Sequence, residues 1–335
     1  MCSYKTTVQV DGFGALGVHF VHQPSSKEGS VPLLFVHGWP GSYLEVAKIL
    51  PMLTEGGDGP WFHVVAPSLP NFGFSDGVAD RAFSIPHYAQ AMHKVMLALG
   101  YHEYVTQGGD WGSMITRRMA IQYPSHCLAS HLNFVPVPKP TESTSPLNLV
   151  ASLGNYTPAE RLGMERSEWF RREGYGYNME QGTKPHTLGF ALSDSPIALL
   201  AWIYEKLHDW TDAYPWTDDE ILVWVSLYVF STAGPAASVR IYYENMHHQA
   251  PLWDSAPGVL VGYSIFPMDV VVPPTAWARA ALGKAIVFEA RHSHGGHFAA
   301  WERPEKLVGD LKTMFGPGGG AESVTRRFAL AKAKM

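Results

Sequence analysis

Apolar residues follow two different rhythms along this 335-residue chain. In the first third and again near the end, short unbroken apolar runs alternate with stretches of helical period. Val31-Pro32-Leu33-Leu34-Phe35-Val36 is one such run, and residues 63–67, 103–107, 131–135, 259–262 and 285–289 repeat the pattern. Runs of this length suit strands covered on both faces, as in a parallel sheet. Residues 85–99 and 111–122, lying between them, read as helices. Alternating strands and helices predict an α/β protein with a doubly wound, mostly parallel sheet.

The alternation stops near Val135, where Pro136, Pro138, Pro140 and Pro146 interrupt the chain. Residues 159–245 are then helical in pattern and rich in Trp and Tyr, and strand signals return only near Val259. The pattern predicts a core of residues 1–135 and 256–315, with residues 136–255 inserted as a helical cap, or lid. Such a lid belongs over the carboxyl edge of the sheet, where open α/β sheets bind ligands. Gly316-Pro317-Gly318-Gly319-Gly320 predicts a break followed by a flexible tail over 316–335.

Composition narrows the function. With 46% hydrophobic and only 16% charged residues, the chain is too apolar for disorder. Its net charge is 25 − 30 = −5, which leaves no basic excess for nucleic acid. Cys2 and Cys127 cannot build a disulfide framework. No apolar run approaches the roughly 18 residues that span a bilayer, and no charged segment followed by an apolar one marks a signal peptide. These features predict a soluble, cytoplasmic protein; a monomer and a homodimer both fit.

The chemistry centres on Gly108-Gly109-Asp110-Trp111-Gly112, between a predicted strand and a predicted helix. Small residues around a central nucleophile describe a nucleophile elbow, which lifts one side chain above the sheet at a helix N-terminus. Here that side chain is a carboxylate, already ionised at neutral pH. A helix N-cap is the plainer reading of the same Asp. His37-Gly38-Trp39-Pro40-Gly41-Ser42 follows the first strong strand, and the amides of Trp39 and Trp111 form a candidate oxyanion hole. His297, after the last strand, is a candidate general base, and Asp269, after the strand before it, a candidate orienting acid. The order Asp110, Asp269, His297 is nucleophile, acid, base, as expected of an α/β-hydrolase. Gly73-Phe74-Ser75-Asp76-Gly77 spells a serine elbow but follows no buried strand directly, so it reads as a loop. His292, His294 and His297 are spaced like metal ligands but lack a carboxylate partner pattern.

Taken together, the His37–Ser42 loop, the Asp110 elbow, the Phe266-Pro267-Met268-Asp269 segment and the stretch from Gly295 to Glu305 resemble the epoxide hydrolases of the α/β-hydrolase superfamily. The likeness is to the branch of microsomal and fungal enzymes and runs from about Tyr4 to Phe315. It implies two lid tyrosines that activate the epoxide, and selects Tyr177 over Tyr175 and Tyr242 over Tyr243. It implies attack of Asp110 on a ring carbon, a covalent aspartyl ester, and hydrolysis of that ester by a water that His297 deprotonates. The product is a vicinal diol, and neither cofactor nor metal is required. Aromatic lid residues imply an apolar substrate cavity. This branch usually carries a long N-terminal segment, whereas here the chain starts almost at the first core strand. A haloalkane dehalogenase using the same Asp110, and a non-catalytic small-molecule binder on the same fold, are the competing readings. Detoxification, catabolism and biosynthesis all remain compatible roles.

Overall fold

The computed structural model describes residues 1–137, 139–140, 154, 156–252 and 256–332. Its centre is a single sheet of eight strands: β1 (Ser3–Val10), β2 (Gly14–Gln23), β3 (Val31–Val36), β4 (Phe62–Pro67), β5 (Tyr104–Gly108), β6 (Cys127–Leu132), β7 (Leu260–Ile265) and β8 (Ile286–Arg291). Their spatial order is β1-β2-β4-β3-β5-β6-β7-β8. The contacts from β4 through β8 are parallel, and β1 and β2 join antiparallel at one edge. This is the doubly wound, mostly parallel α/β arrangement that the apolar runs predict.

The unbroken runs are explained by burial on both faces. Leu34, Val36 and Val65 pack into one hydrophobic cluster, while their neighbours Leu33, Phe35, Val64 and Ala66 pack into another on the opposite face. Because successive strand residues point to opposite faces, only a sheet covered on both sides demands apolar residues at every position. Each such side chain, once buried, contributes about 1.5–3 kcal/mol.

The strand expected over residues 131–135 lies earlier, at Cys127–Leu132, and two further elements depart from the expectation. The β1–β2 hairpin is absent from the apolar-run pattern because β1 is an edge strand, with only Val8 and Val10 buried along it. The tail predicted to be flexible instead carries a helix, Glu322–Lys332, that follows a turn at Gly316–Gly320. Ala321 and Val324 are buried in the core cluster and Phe328 packs beside them, so an amphipathic face overrides the glycine-rich break.

Between β6 and β7 the described chain is helical: Pro158–Trp169, Gly176–Thr183, Pro185–Asp194, Pro196–Asp209, Asp218–Val229 and Arg240–His247. Side chains from these helices bond core loops directly. Trp224 Nε1 donates to the Pro40 carbonyl and Tyr228 Oη to the Gly41 carbonyl, both at 2.5 Å. Arg240 donates to the Ala79 carbonyl at 2.7 Å, and Glu244 accepts from the Ala82 amide at 2.7 Å. No single helix among the described residues is long and apolar enough to cross a membrane.

Burial also sets the response to acid. His19, His37, His93 and His131 are each held down to about 4 by burial. Their folded values lie below the unfolded value near 6.5, so the stability they contribute is present above 6.5 and is lost as pH falls toward 4. Glu45 and Glu302, raised by burial to about 8 and about 7, act in the opposite direction but are fewer. The melting temperature is therefore expected to fall by at least about 5 °C between pH 6.5 and pH 4.5. Thermal melts across that range check this, and a flat profile would contradict it.

Candidate active site

The candidate groups follow the carboxyl ends of β3, β5, β7 and β8, which places them along one edge of the parallel sheet. Asp110 sits between β5 and the helix Trp111–Gln122 with φ 49° and ψ −130°. A non-glycine residue at positive φ is strained, at a cost of order 1–3 kcal/mol that the surrounding structure must offset. Tight packing enforces the turn. A side chain on Gly112 would overlap the Val36 carbonyl, and one on Gly38 would overlap the Asp110 carboxylate. The plainer reading of Asp110 as a helix cap is not what its side chain does, since it makes no capping bond. Instead Oδ1 accepts the Trp39 amide at 2.7 Å. Trp111 is the first residue of its helix, so its amide has no intrahelical acceptor.

His37 holds the Trp39 loop in place. Its Nδ1–H donates to the Gly38 carbonyl at 2.9 Å and its Nε2 accepts the Leu69 amide at 3.1 Å. That pair of bonds requires the neutral tautomer, in keeping with the lowered pKa of this buried ring.

His297 is buried opposite Asp110. Its Nδ1–H donates to Asp269 Oδ1 at 2.6 Å, and its Nε2 lies 3.4 Å from Asp110 Oδ2. Burial alone would lower its pKa, but the carboxylates of Asp269 and Asp110 outweigh burial and raise it above the ordinary imidazole value. The loops carrying the two residues are laced together by the Met268 amide, which donates to the Gly295 carbonyl at 3.0 Å. From the helix Pro158–Trp169, Arg166 donates to the Met268 and Asp269 carbonyls at 3.2 and 3.3 Å. The His297 amide donates to the Trp210 carbonyl at 2.8 Å. The loops behind both members of the His–Asp pair are thus tied to the inserted helices.

Tyr177 and Tyr242 come from different helices, Gly176–Thr183 and Arg240–His247, and meet above the elbow. Their rings are 5.7 Å apart edge to face. Trp39 stacks on Tyr177 at 5.2 Å and meets Tyr242 edge-on at 5.6 Å, while Trp111 meets Tyr242 at 4.8 Å. Burial, with the Asp110 charge adding to it, raises both phenols, so both stay protonated at neutral pH. Among the described residues the Tyr242 hydroxyl and the Trp111 indole N–H have no hydrogen-bond partner of ordinary geometry. An unpaired buried hydroxyl costs roughly 1–3 kcal/mol, which a ligand acceptor would recover. The neighbouring tyrosines are placed elsewhere: Tyr175 is 38% exposed, and Tyr243 is half-buried against His247.

The other sequence candidates do not join the site. Ser75 Oγ donates to the Ser68 carbonyl at 2.7 Å and accepts the His19 amide, so it braces a loop. His292 pairs with Asp310, His294 lies near Asp212 and His297 faces Asp269, so the three rings do not converge. The apolar cavity implied by the aromatic lid is not present beside the elbow. Trp39, Phe170, Tyr177, Trp210 and Tyr242 pack on one another, leaving a cavity of about 10 Å³ lined by Asp110 and His297. An epoxide can enter only if these rings separate. One lining residue escaped the sequence reading: Glu45, whose carboxylate shares that cavity. The only signal for it is the spacing from Ser42 to Glu45, which reads as an ordinary helix cap.

Comparisons with known proteins give the family and the fold. A profile described as "alpha/beta hydrolase fold" matches residues 31–148, and one described as "Epoxide hydrolase N terminus" matches residues 1–46. Epoxide hydrolase 1 of Sus scrofa is 34% identical over 343 residues, covering 93% of this chain and 74% of its own length. The structure of Aspergillus niger epoxide hydrolase superposes with a TM-score of 0.78 at 37% identity, covering 92% of this chain and 76% of that one. The crystal structure of juvenile hormone epoxide hydrolase from the silkworm Bombyx mori gives 0.81 at 29% identity, covering 98% and 79%. At 34% identity over 74% of the Sus scrofa relative's length, and with the matching fold, the chain belongs to the epoxide hydrolase family, on the α/β-hydrolase fold.

Proposed function

We propose that this protein hydrolyses an apolar epoxide to a vicinal diol through an ester on Asp110, beneath a lid formed by the described helices between Pro158 and His247. The observation that carries the proposal is the pair of buried, protonated phenols above the Asp110 elbow, with the Tyr242 hydroxyl lacking a hydrogen-bond partner of ordinary geometry among the described residues. An epoxide is strained but leaves as an alkoxide, so its opening needs a nucleophile on carbon and an acid on oxygen. Asp110 Oδ2 attacks a ring carbon; the C–O bond breaks, and Tyr177 or Tyr242 gives a proton to the oxygen.

Ester formation then changes the electrostatics of the site. Asp110 loses its charge, which removes one of the two carboxylates that raise the His297 pKa. The imidazole, oriented by Asp269, becomes easier to deprotonate at the point where a base is needed. It takes a proton from water, the water oxygen bonds to the Asp110 carbonyl carbon, and the amides of Trp39 and Trp111 hold the oxyanion. The two free thiols, exposed Cys2 and buried Cys127, suit the reducing cytoplasm as the working compartment.

The test is the double variant Tyr177→Phe, Tyr242→Phe with styrene oxide. Ring opening in a single turnover is expected to slow by about 10²–10⁴, the usual scale for a general acid. An unchanged rate of diol formation would contradict the role of the phenols. Release of bromide from an alkyl bromide at rates above diol formation would move the function to a dehalogenase, for which the unpartnered Trp111 indole supplies a halide donor.

A further inference from the structure

The cavity beside the elbow has a volume of about 10 Å³ and is lined by Gly38, Trp39, Glu45, Asp110, His297 and Phe298. That is room for one water and no more, and a buried water needs two to four polar partners. His297 Nε2 and the Asp110 carboxylate supply two. Glu45 supplies the third, and none of the chemistry described above uses it.

Glu45 reaches the cavity because its own loop folds back on itself. It lies in the short helix Tyr43–Ala47 that follows the Trp39 loop, with Ser42 as N-cap. Oε1 accepts the Ser42 amide at 3.2 Å, and among the described residues Oε2 accepts no hydrogen bond. A side chain on Gly41 would overlap Oε1, so glycine at that position is what leaves the carboxylate space. Two other capping boxes, Thr157 with Glu160 and Thr217 with Glu220, keep their glutamates at the periphery, each bonded to its capping threonine hydroxyl. Glu45 is half-buried, as they are, but it alone among these three lines the cavity beside Asp110 and His297. Its charge is felt by the site: burial raises its pKa to about 8, the His297 cation opposes that rise and the Asp110 charge adds to it.

We infer that Glu45 is a further catalytic residue, holding the water that hydrolyses the ester on Asp110. The water donates one hydrogen to His297 Nε2 and the other to a Glu45 carboxyl oxygen, which turns its lone pair toward the ester carbonyl carbon. In the step itself one O–H bond breaks and its proton goes to His297, while the oxygen bonds to the Asp110 carbonyl carbon. When the tetrahedral centre collapses, the bond to the substrate oxygen breaks. The remaining hydrogen of the former water passes to that oxygen, releasing the diol and restoring the Asp110 carboxylate, and the proton held by His297 returns to the phenolate left by ring opening, which restores both groups. Glu45 ends the step unchanged. Ring opening needs no such water, so only the second half-reaction depends on Glu45.

The inference rests on the proposed roles of Asp110 and His297, and one experiment separates the two. Wild type, Glu45→Ala and Glu45→Gln are mixed with styrene oxide and quenched over a single turnover, and the covalent ester and the diol are measured by mass spectrometry. Ester formation in Glu45→Ala is expected within about threefold of wild type, while ester hydrolysis slows at least about 30-fold and ester accumulates. Glu45→Gln retains both the capping geometry and an acceptor oxygen, so it is expected to recover hydrolysis to within about tenfold of wild type. Hydrolysis in Glu45→Ala within threefold of wild type would overturn the role. So would equal losses in both half-reactions together with a lowered melting temperature in both variants, which is the signature of a lost helix cap. If no ester forms on wild-type Asp110 at all, the nucleophile assignment itself fails, and the role of Glu45 with it.

Discussion

Asp110→Ala is expected to lower turnover of styrene oxide by at least about 10⁴-fold, equivalent to about 5.4 kcal/mol of transition-state stabilisation. The size follows from the absence of any substitute. Among the described residues Ser75 is committed to bracing a loop, Asp269 is turned toward His297 and Glu45 is held by the Ser42 amide, so none of them takes the place of Asp110 on the elbow. The phenols would still polarise an epoxide, but a water would have to enter a cavity built around the missing carboxylate. The fold should tolerate the change. Asp110 makes no bond that caps its helix, and its one amide partner, Trp39, would face the vacated cavity. Steady-state kinetics together with a thermal melt check the prediction. A folded variant retaining activity within about tenfold of wild type would remove Asp110 from the mechanism.

Replacing His297 has a different expected result, because it divides the reaction in two. Ring opening uses Asp110 and the phenols only, so the first turnover proceeds and an ester forms stoichiometrically. Hydrolysis then stalls, since among the described residues only Glu45 also lines the cavity as an acceptor and it has no orienting acid behind it like Asp269, and turnover falls by about 10³-fold or more. Removing the imidazole also leaves Asp269 buried without its charged partner, a change that typically costs 3–5 kcal/mol. His297→Gln guards against that loss, because its amide N–H can still donate to Asp269 while offering no base. Rapid-quench measurement of diol should show no multiple turnovers in either variant. Sustained multiple-turnover diol formation would contradict the assignment of His297 as base.

Much of this architecture is legible in the chain because physics leaves few options for the residues concerned. Leu33 and Leu34 must both be apolar when they face opposite covered sides of one sheet, and that doubling is visible without a structure. The Asp110 elbow is equally visible, because only glycine fits where the Val36 carbonyl crowds position 112. Other features depend on partners far away in sequence. The β1 edge strand buries too few residues to stand out, and the helix Glu322–Lys332 reveals its buried face only once the core it covers exists. Tyr177 and Tyr175 have the same local chemistry; what separates them is burial against Trp39, a residue 138 positions upstream (177 − 39). Glu45 is concealed by a motif with an adequate local explanation. A serine three residues before a glutamate describes a helix cap, and nothing in that spacing says the carboxylate also faces a catalytic cavity.

The most direct test of a covalent mechanism at the elbow is to locate the ester. His297→Gln is incubated with styrene oxide, quenched in acid and digested, and the peptides are sequenced by mass spectrometry. The account predicts one modified peptide, heavier by the mass of the epoxide, with the added group on Asp110. A folded variant that carries the adduct on another residue, or that forms diol with no adduct on Asp110 at any time point, would contradict it.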